Sequence, residues 1–98
     1  MIIQSKRFLK AAKRYQRGGK IQILEAAEEA IHLLTVRDPR ALFVLYERWR
    51  DHPLKGDKRG IRELHLAMDD LLVYSVDDVT STIELLDIIN HEELRKQK

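Results

Sequence analysis

The apolar positions of this 98-residue chain change period near its middle. Up to Trp49 they recur at steps of three and four, as on one face of a helix; from Gly60 they alternate or run together, as in strands. The short apolar start, Met1-Ile2-Ile3-Gln4, reads as an edge strand. Ser5 then fits as the N-cap of a first helix whose stripe is Phe8, Leu9, Ala12 and Tyr15, closed by Gly18-Gly19. A second helix is expected over about 20–35, with Ile23, Ala27, Ala30, Ile31 and Leu34 on one face, so that the pair forms an αα-hairpin. Asp38-Pro39 is a helix start, because proline is tolerated at the first helical position. Leu42, Leu45, Tyr46 and Trp49 follow as the stripe of a third, shorter helix to about Arg50, with Tyr46 and Trp49 read as core residues. Pro53 forbids continuation, and Gly56 and Gly60 bracket a basic loop.

Beyond Gly60, Leu64 and Leu66 alternate with Glu63 and His65, the mark of a half-buried strand. Leu71 to Val76 is apolar enough for a central strand, Asp77-Asp78 supplies a hairpin turn, and Thr80 to Ile89 makes a third strand rich in β-branched residues. Asn90 is placed as the cap of a final short helix from His91 to about Arg95. The expected fold is α+β, one domain over residues 1–98: an N-terminal helical hairpin packed on a small antiparallel meander, with a short C-terminal helix.

Composition narrows the function. There is no cysteine, hence neither a disulfide framework nor a thiolate metal site. No apolar run approaches the roughly 20 residues of a membrane helix, and the N-terminus lacks a signal-peptide pattern, so a soluble intracellular protein is expected, without membrane contact. The net charge is only +2, but its distribution is lopsided. Residues 1–20 carry seven bases and no acid, whereas residues 69–93 carry eight acids and neither lysine nor arginine. A polyanion responds to such a local basic patch rather than to the total, and the acidic end limits how much of the surface can serve it.

Three of the four histidines, His52, His65 and His91, lie in the second half. Strand alternation turns Glu63 and His65 away from Leu64 and Leu66, so His65 stands on the open sheet face once the leucines pack on the helices. His52 precedes the loop into that strand, His91 ends the last strand, and Asp69, in the first turn, can approach His52 or His91 according to strand order. His52 could equally cap the helix before it, and His32 on the second helix reads as solvated. No H-x-x-x-H or H-E-x-x-H spacing occurs, so no metal is expected. Imidazoles and a carboxylate on one surface suit RNA cleavage without a metal: imidazole moves protons near neutral pH. Lys55, Arg59 and Arg62 would hold the charged phosphate, and use of the 2′-hydroxyl would confine the activity to RNA.

The ordered series Asp51-His52-Pro53-Leu54-Lys55-Gly56, Gly60-Ile61-Arg62-Glu63-Leu64-His65, Asp69, Leu71-Leu72-Val73-Tyr74 and Asn90-His91-Glu92-Glu93-Leu94 resembles the YafQ branch of the RelE/ParE toxin superfamily. The resemblance covers most of the chain. It implies a bacterial, cytoplasmic toxin of a type II toxin–antitoxin pair that cuts mRNA in the ribosomal A site without cofactor or metal. The implied partners are a cognate antitoxin and the ribosome with its mRNA and rRNA. Carried over by position, His52, His65, Asp69 and His91 match the family's catalytic set. In that set His91 would be the leaving-group acid, His52 or Asp69 the proton acceptor, and His65 an orienting or stabilising group. The chain departs from the pattern in three places. Asp70 stands where the family has an aromatic after the turn aspartate, which removes a stacking surface and adds a negative charge beside the phosphate. Arg95 stands where it closes on Phe, a lost ring but a gained cation beside RNA. The segment before Asp51 is longer and helical. These departures keep two alternatives in view: a non-catalytic inhibitor like the ParE branch, and a member attenuated in activity that acts by protein binding.

Overall fold

The computed structural model describes residues 1–54 and 60–91. The chain runs β1 (Ile2–Gln4), α1 (Lys6–Arg17), α2 (Ile21–Val36), α3 (Pro39–Trp49), β2 (His52–Pro53), β3 (Ile61–His65), β4 (Asp70–Asp77) and β5 (Thr82–Asn90). The strands form one five-stranded sheet in the order β1-β5-β4-β3-β2, antiparallel throughout except for β1, which lies parallel to β5. The α+β expectation holds, while the expected short C-terminal helix falls, beyond His91, outside the described residues. The expected N-terminal edge strand is β1, and the meander gains one strand at its other edge: His52-Pro53, read from sequence as the lead-in to a loop, is itself the short edge strand β2.

Local chemistry explains where the helices begin. The Ser5 hydroxyl accepts the Phe8 N–H, and the Asp38 carboxylate accepts that of Ala41, each filling a donor the first helical turn leaves free. Ser5 also ties α1 to the sheet. Its N–H donates to the Leu85 carbonyl and its hydroxyl to that of Leu86, just where β1 stops covering β5.

All three helices pack on one face of the sheet. Phe8, Ala11 and Tyr15 of α1, Ala27, Ala30 and Leu34 of α2, and Leu45 and Trp49 of α3 share a core with Leu64, Leu72, Tyr74, Ile83, Leu85 and Ile88. A bulge in the β4–β5 pairing skips one residue of β5, so Leu85 and Ile88, three apart, both face that core. On α3 the buried stripe is Ala41, Leu45 and Trp49. Tyr46, expected in the core, is 67% exposed. The small Ala41 lets the helix approach on its own side, and the bulkier neighbouring stripe of Leu42 and Tyr46 rolls outward. The last hairpin turn also runs longer than expected, delaying β5 to Thr82. Asp77 accepts the N–H groups of Val79 and Thr80, and Ser81 takes a left-handed conformation (φ 53°).

Asp70 is only 8% exposed. It begins β4 with its carboxylate on the helix side, accepting from the Tyr15 hydroxyl (2.7 Å) and the Asn90 amide (3.3 Å). It therefore does not stand beside the histidines as a stray negative charge, and Asn90 spends its amide on Asp70 at the end of β5. Tyr15→Phe is expected to destabilise the fold by about 1–3 kcal/mol, because a buried carboxylate loses its closest donor. A lowered urea midpoint at unchanged m-value would show it.

Candidate functional site

The sheet face opposite the helices carries the histidines. His65 pairs with Leu71 across β3–β4, and His52 pairs with Glu63 across β2–β3. The His52 and His65 rings lie 5.8 Å apart between centroids, and those of His65 and His91 lie 5.9 Å apart, so His65 is the middle of a row of three. Asp69 closes the far end. Its carbonyl accepts the His91 backbone N–H (2.8 Å), and its carboxylate stands 4.0 Å from His91 Nδ1. All four residues named from the sequence as a catalytic set are thus brought to one surface.

His52 is held at both ring nitrogens: Nδ1 lies 2.6 Å from the Arg50 carbonyl and Nε2 2.8 Å from Glu63 Oε1. A carbonyl can only accept, so Nδ1 carries a proton, and Nε2 and Glu63 share the next one. The carbonyl is aimed there by an unusual backbone. Arg50 caps α3 in the left-handed region (φ 52°, ψ 40°), where glycine is normally favoured.

A two-residue strand is a weak anchor, and Asp51 reinforces it. While His52 faces the open side, Asp51 is buried on the helix side, where one carboxylate oxygen accepts from both Tyr74 Oη and Arg62 Nε (3.2 Å). Burial, and then the bond to Asp51, push the Tyr74 hydroxyl well above its ordinary pKa, so it remains a donor. The clamp ties β2 to β3 and β4 from behind.

His65 titrates below its ordinary value. Burial is the largest cause, followed by the positive charges of His52, His91 and Arg50, with Glu63 opposing them. The fold therefore favours neutral His65, and the unfolded chain binds that proton more readily. The stability this confers is present above about pH 6.5, the unfolded value, and is lost as pH falls through the lower folded value. Denaturation at pH 7.5 and pH 5.5 should give the lower midpoint in acid, and His65→Gln should shrink the difference.

The expected phosphate-binding cations divide differently. Lys55, Arg59 and Arg95 lie outside the described residues. Arg62 does not join the histidines, because it pairs with Pro53 and Tyr74 on the other face and is committed to Asp51. The described cation whose charge reaches His65 is Arg50, which the sequence reading passed over, as it passed over Glu63 as a partner of His52. For Glu63 the signal was present: alternation placed it on the face of His65, and only the pairing with β2 was missing.

Three helices on one face of a mostly antiparallel five-stranded sheet give the described residues the RelE-like fold. YafQ from Escherichia coli strain BL21(DE3) superposes with a TM-score of 0.76 at 24% identity, over 96% of both chains. The chain belongs to the YafQ family: the model of that family, bacterial toxins of type II toxin–antitoxin systems, matches residues 1–96. A metal-bound toxin from Helicobacter pylori is 33% identical over 96% of this chain and 97% of its own, with a TM-score of 0.79. YafQ in the E. coli DinJ–YafQ toxin–antitoxin complex is 25% identical over 96% of this chain and 94% of its own, with a TM-score of 0.70. No curated protein matches the chain.

Proposed function

We propose that this chain is a ribosome-dependent endoribonuclease that cuts mRNA in the A site by general acid–base chemistry, and that a cognate antitoxin holds it inactive. The observation that carries the reading is the row of His52, His65 and His91 with Asp69 at its end, on the sheet face the helices leave open.

The reaction forms a bond from the 2′-oxygen to phosphorus and breaks the bond from phosphorus to the 5′-oxygen. One group takes the 2′-hydroxyl proton and another gives a proton to the departing 5′-oxygen. The leaving-group acid is His91, steadied by Asp69. Either Asp69 or His52 remains a candidate acceptor from the family pattern, but His52 has both nitrogens engaged. His65 is favoured in its neutral form and, among the described residues, makes no hydrogen bond through its ring, which fits it better as the acceptor. His52, with both nitrogens engaged and a proton shared with Glu63, then acts on the phosphate through its charge rather than as a hydrogen-bond donor. No step is routed through a metal. Among the described residues no group of three or more histidines or acids is arranged to hold one, and the engaged nitrogens of His52 are not free to ligate.

Lys10, Lys13 and Arg17 lie exposed along α1 and offer a basic ridge to ribosomal RNA, with Lys55, Arg59 and Arg95 as further proposed contacts. The DinJ–YafQ complex of E. coli supports an antitoxin partner here. Among the described residues no helix is long and apolar enough to cross a membrane, and the proposed place of action is the bacterial cytoplasm.

Expression of the chain alone should arrest growth and cut mRNA within translated codons, and co-expression of the antitoxin should restore growth. Growth arrest with intact mRNA would instead favour an inhibitor that binds another protein.

A further inference from the structure

A groove of about 550 Å³ opens beside His65, along the part of the β3 edge that β2 does not reach. Its floor and walls come from the end of β3, the turn after it, the C-terminus of α3 and the first half of α2. The Leu66 N–H donates to the Asp70 carbonyl, toward β4, so by alternation the N–H and carbonyl of His65 point the other way, to the groove. Arg50 and Glu25, both exposed, have no ion-pair partner among the described residues, whereas the neighbouring Arg48 is tied to Glu29 at 3.1 Å. Met68, 87% exposed, stands at the rim. Trp49 is 5% exposed in the wall, and its indole N–H has no hydrogen-bond partner among the described residues. An unpaired cation, an unpaired carboxylate, an apolar rim and a free strand edge converge next to the row of histidines.

We infer that this groove is a nucleotide-binding subsite, which takes one nucleotide of single-stranded RNA adjacent to the bond being cut. Arg50 holds the phosphate between that nucleotide and the histidine row. The base lies against Met68, and Glu25 accepts from its amino group. Uracil, which carries no exocyclic amine, is the disfavoured base, and adenine, cytosine and guanine are preferred. The inference rests on the ribonuclease reading and adds a specificity determinant to it. It also supplies a contact surface in a chain that has Asp70 where its family has an aromatic ring. Arg50 fits this role because it lines the groove and its charge also bears on His65 in the histidine row.

Trp49 is the only tryptophan in the chain, so its fluorescence reports on the groove directly. The test titrates the full chain with 2′-O-methyl tetranucleotides, which cannot be cleaved, varied at one base at a time. Arg50→Gly removes the guanidinium while easing the backbone, so the fold should survive. Glu25→Gln keeps the shape and removes the charge. The expected results are a Trp49 emission change on binding, affinity about tenfold weaker in Arg50→Gly, and a preference against uridine that disappears in Glu25→Gln. Unchanged Trp49 emission, equal affinity in both variants, or no binding at millimolar oligonucleotide would overturn the subsite. Cleavage of ribosome-bound mRNA by the wild type is scored separately. Cleavage without these binding effects defeats the subsite alone, and absence of cleavage defeats the ribonuclease reading.

Discussion

Replacing His91 with alanine is expected to lower the rate of mRNA cleavage by a factor of about 10²–10⁴, the usual worth of a positioned general acid. Among the described residues the side chain makes no hydrogen bond, only the 4.0 Å approach of its Nδ1 to Asp69 and the edge contact with the His65 ring, so its removal leaves the helix-side core untouched. Stability should therefore stay within about 0.5 kcal/mol of the wild type, as for most surface changes. The loss should appear in kcat rather than in KM, because a leaving-group acid acts only as the bond breaks. Single-turnover cleavage of ribosome-bound mRNA, paired with a urea melt, separates the two effects. A toxin that acts by binding another protein would keep its toxicity in this variant and in His65→Ala.

Asp51→Ala is expected to destabilise the protein by about 2–4 kcal/mol, well above a typical surface change. The substitution strands the buried Tyr74 hydroxyl and leaves the Arg62 guanidinium without its carboxylate, while opening a small void behind β2. Activity should fall further than stability alone explains, because the next residue, His52, depends on the same strand for its place opposite Glu63. Asp51→Asn should recover part of the stability, since an amide oxygen still accepts from Tyr74 and Arg62 but carries no charge. A urea denaturation series on the three proteins gives the stabilities, and cleavage rates under folding conditions give the remainder.

How much of this was legible in the sequence follows from how local each signal is. The caps at Ser5 and Asp38, the glycine pair after α1 and the alternation through Leu64, His65 and Leu66 are local, and each element stands within a few residues of its expected place. The sheet edges are not. β1 pairs with β5 across some eighty residues, and β2 is two residues long, too short for any periodicity to register. That one omission hid both the Glu63 partner of His52 and the cation at Arg50, since each becomes visible only when β2 is laid beside β3. Arg62 and Asp70 were misjudged for a related reason. Both are charged residues in strands, and charge alone assigns them to the open face. Alternation from Leu64 and Leu72 puts them on the helix side, where Asp51 and Tyr15 receive them. Tyr46 shows the complementary error, where side-chain bulk outweighed the small Ala41 that sets the closer face of α3.

In the proposed reaction the open face of the sheet cuts RNA through the 2′-hydroxyl by proton transfer between side chains. The most direct measurement is the chemistry of the ends produced when the purified protein acts on mRNA in programmed ribosomes. Cleavage is expected within the A-site codon, leaving a 5′-hydroxyl on the downstream fragment and a 2′,3′-cyclic phosphate or its hydrolysis product on the upstream one. A 5′-phosphate on the downstream fragment, the mark of attack by water with the 3′-oxygen leaving, would contradict it, as would mRNA that remains intact.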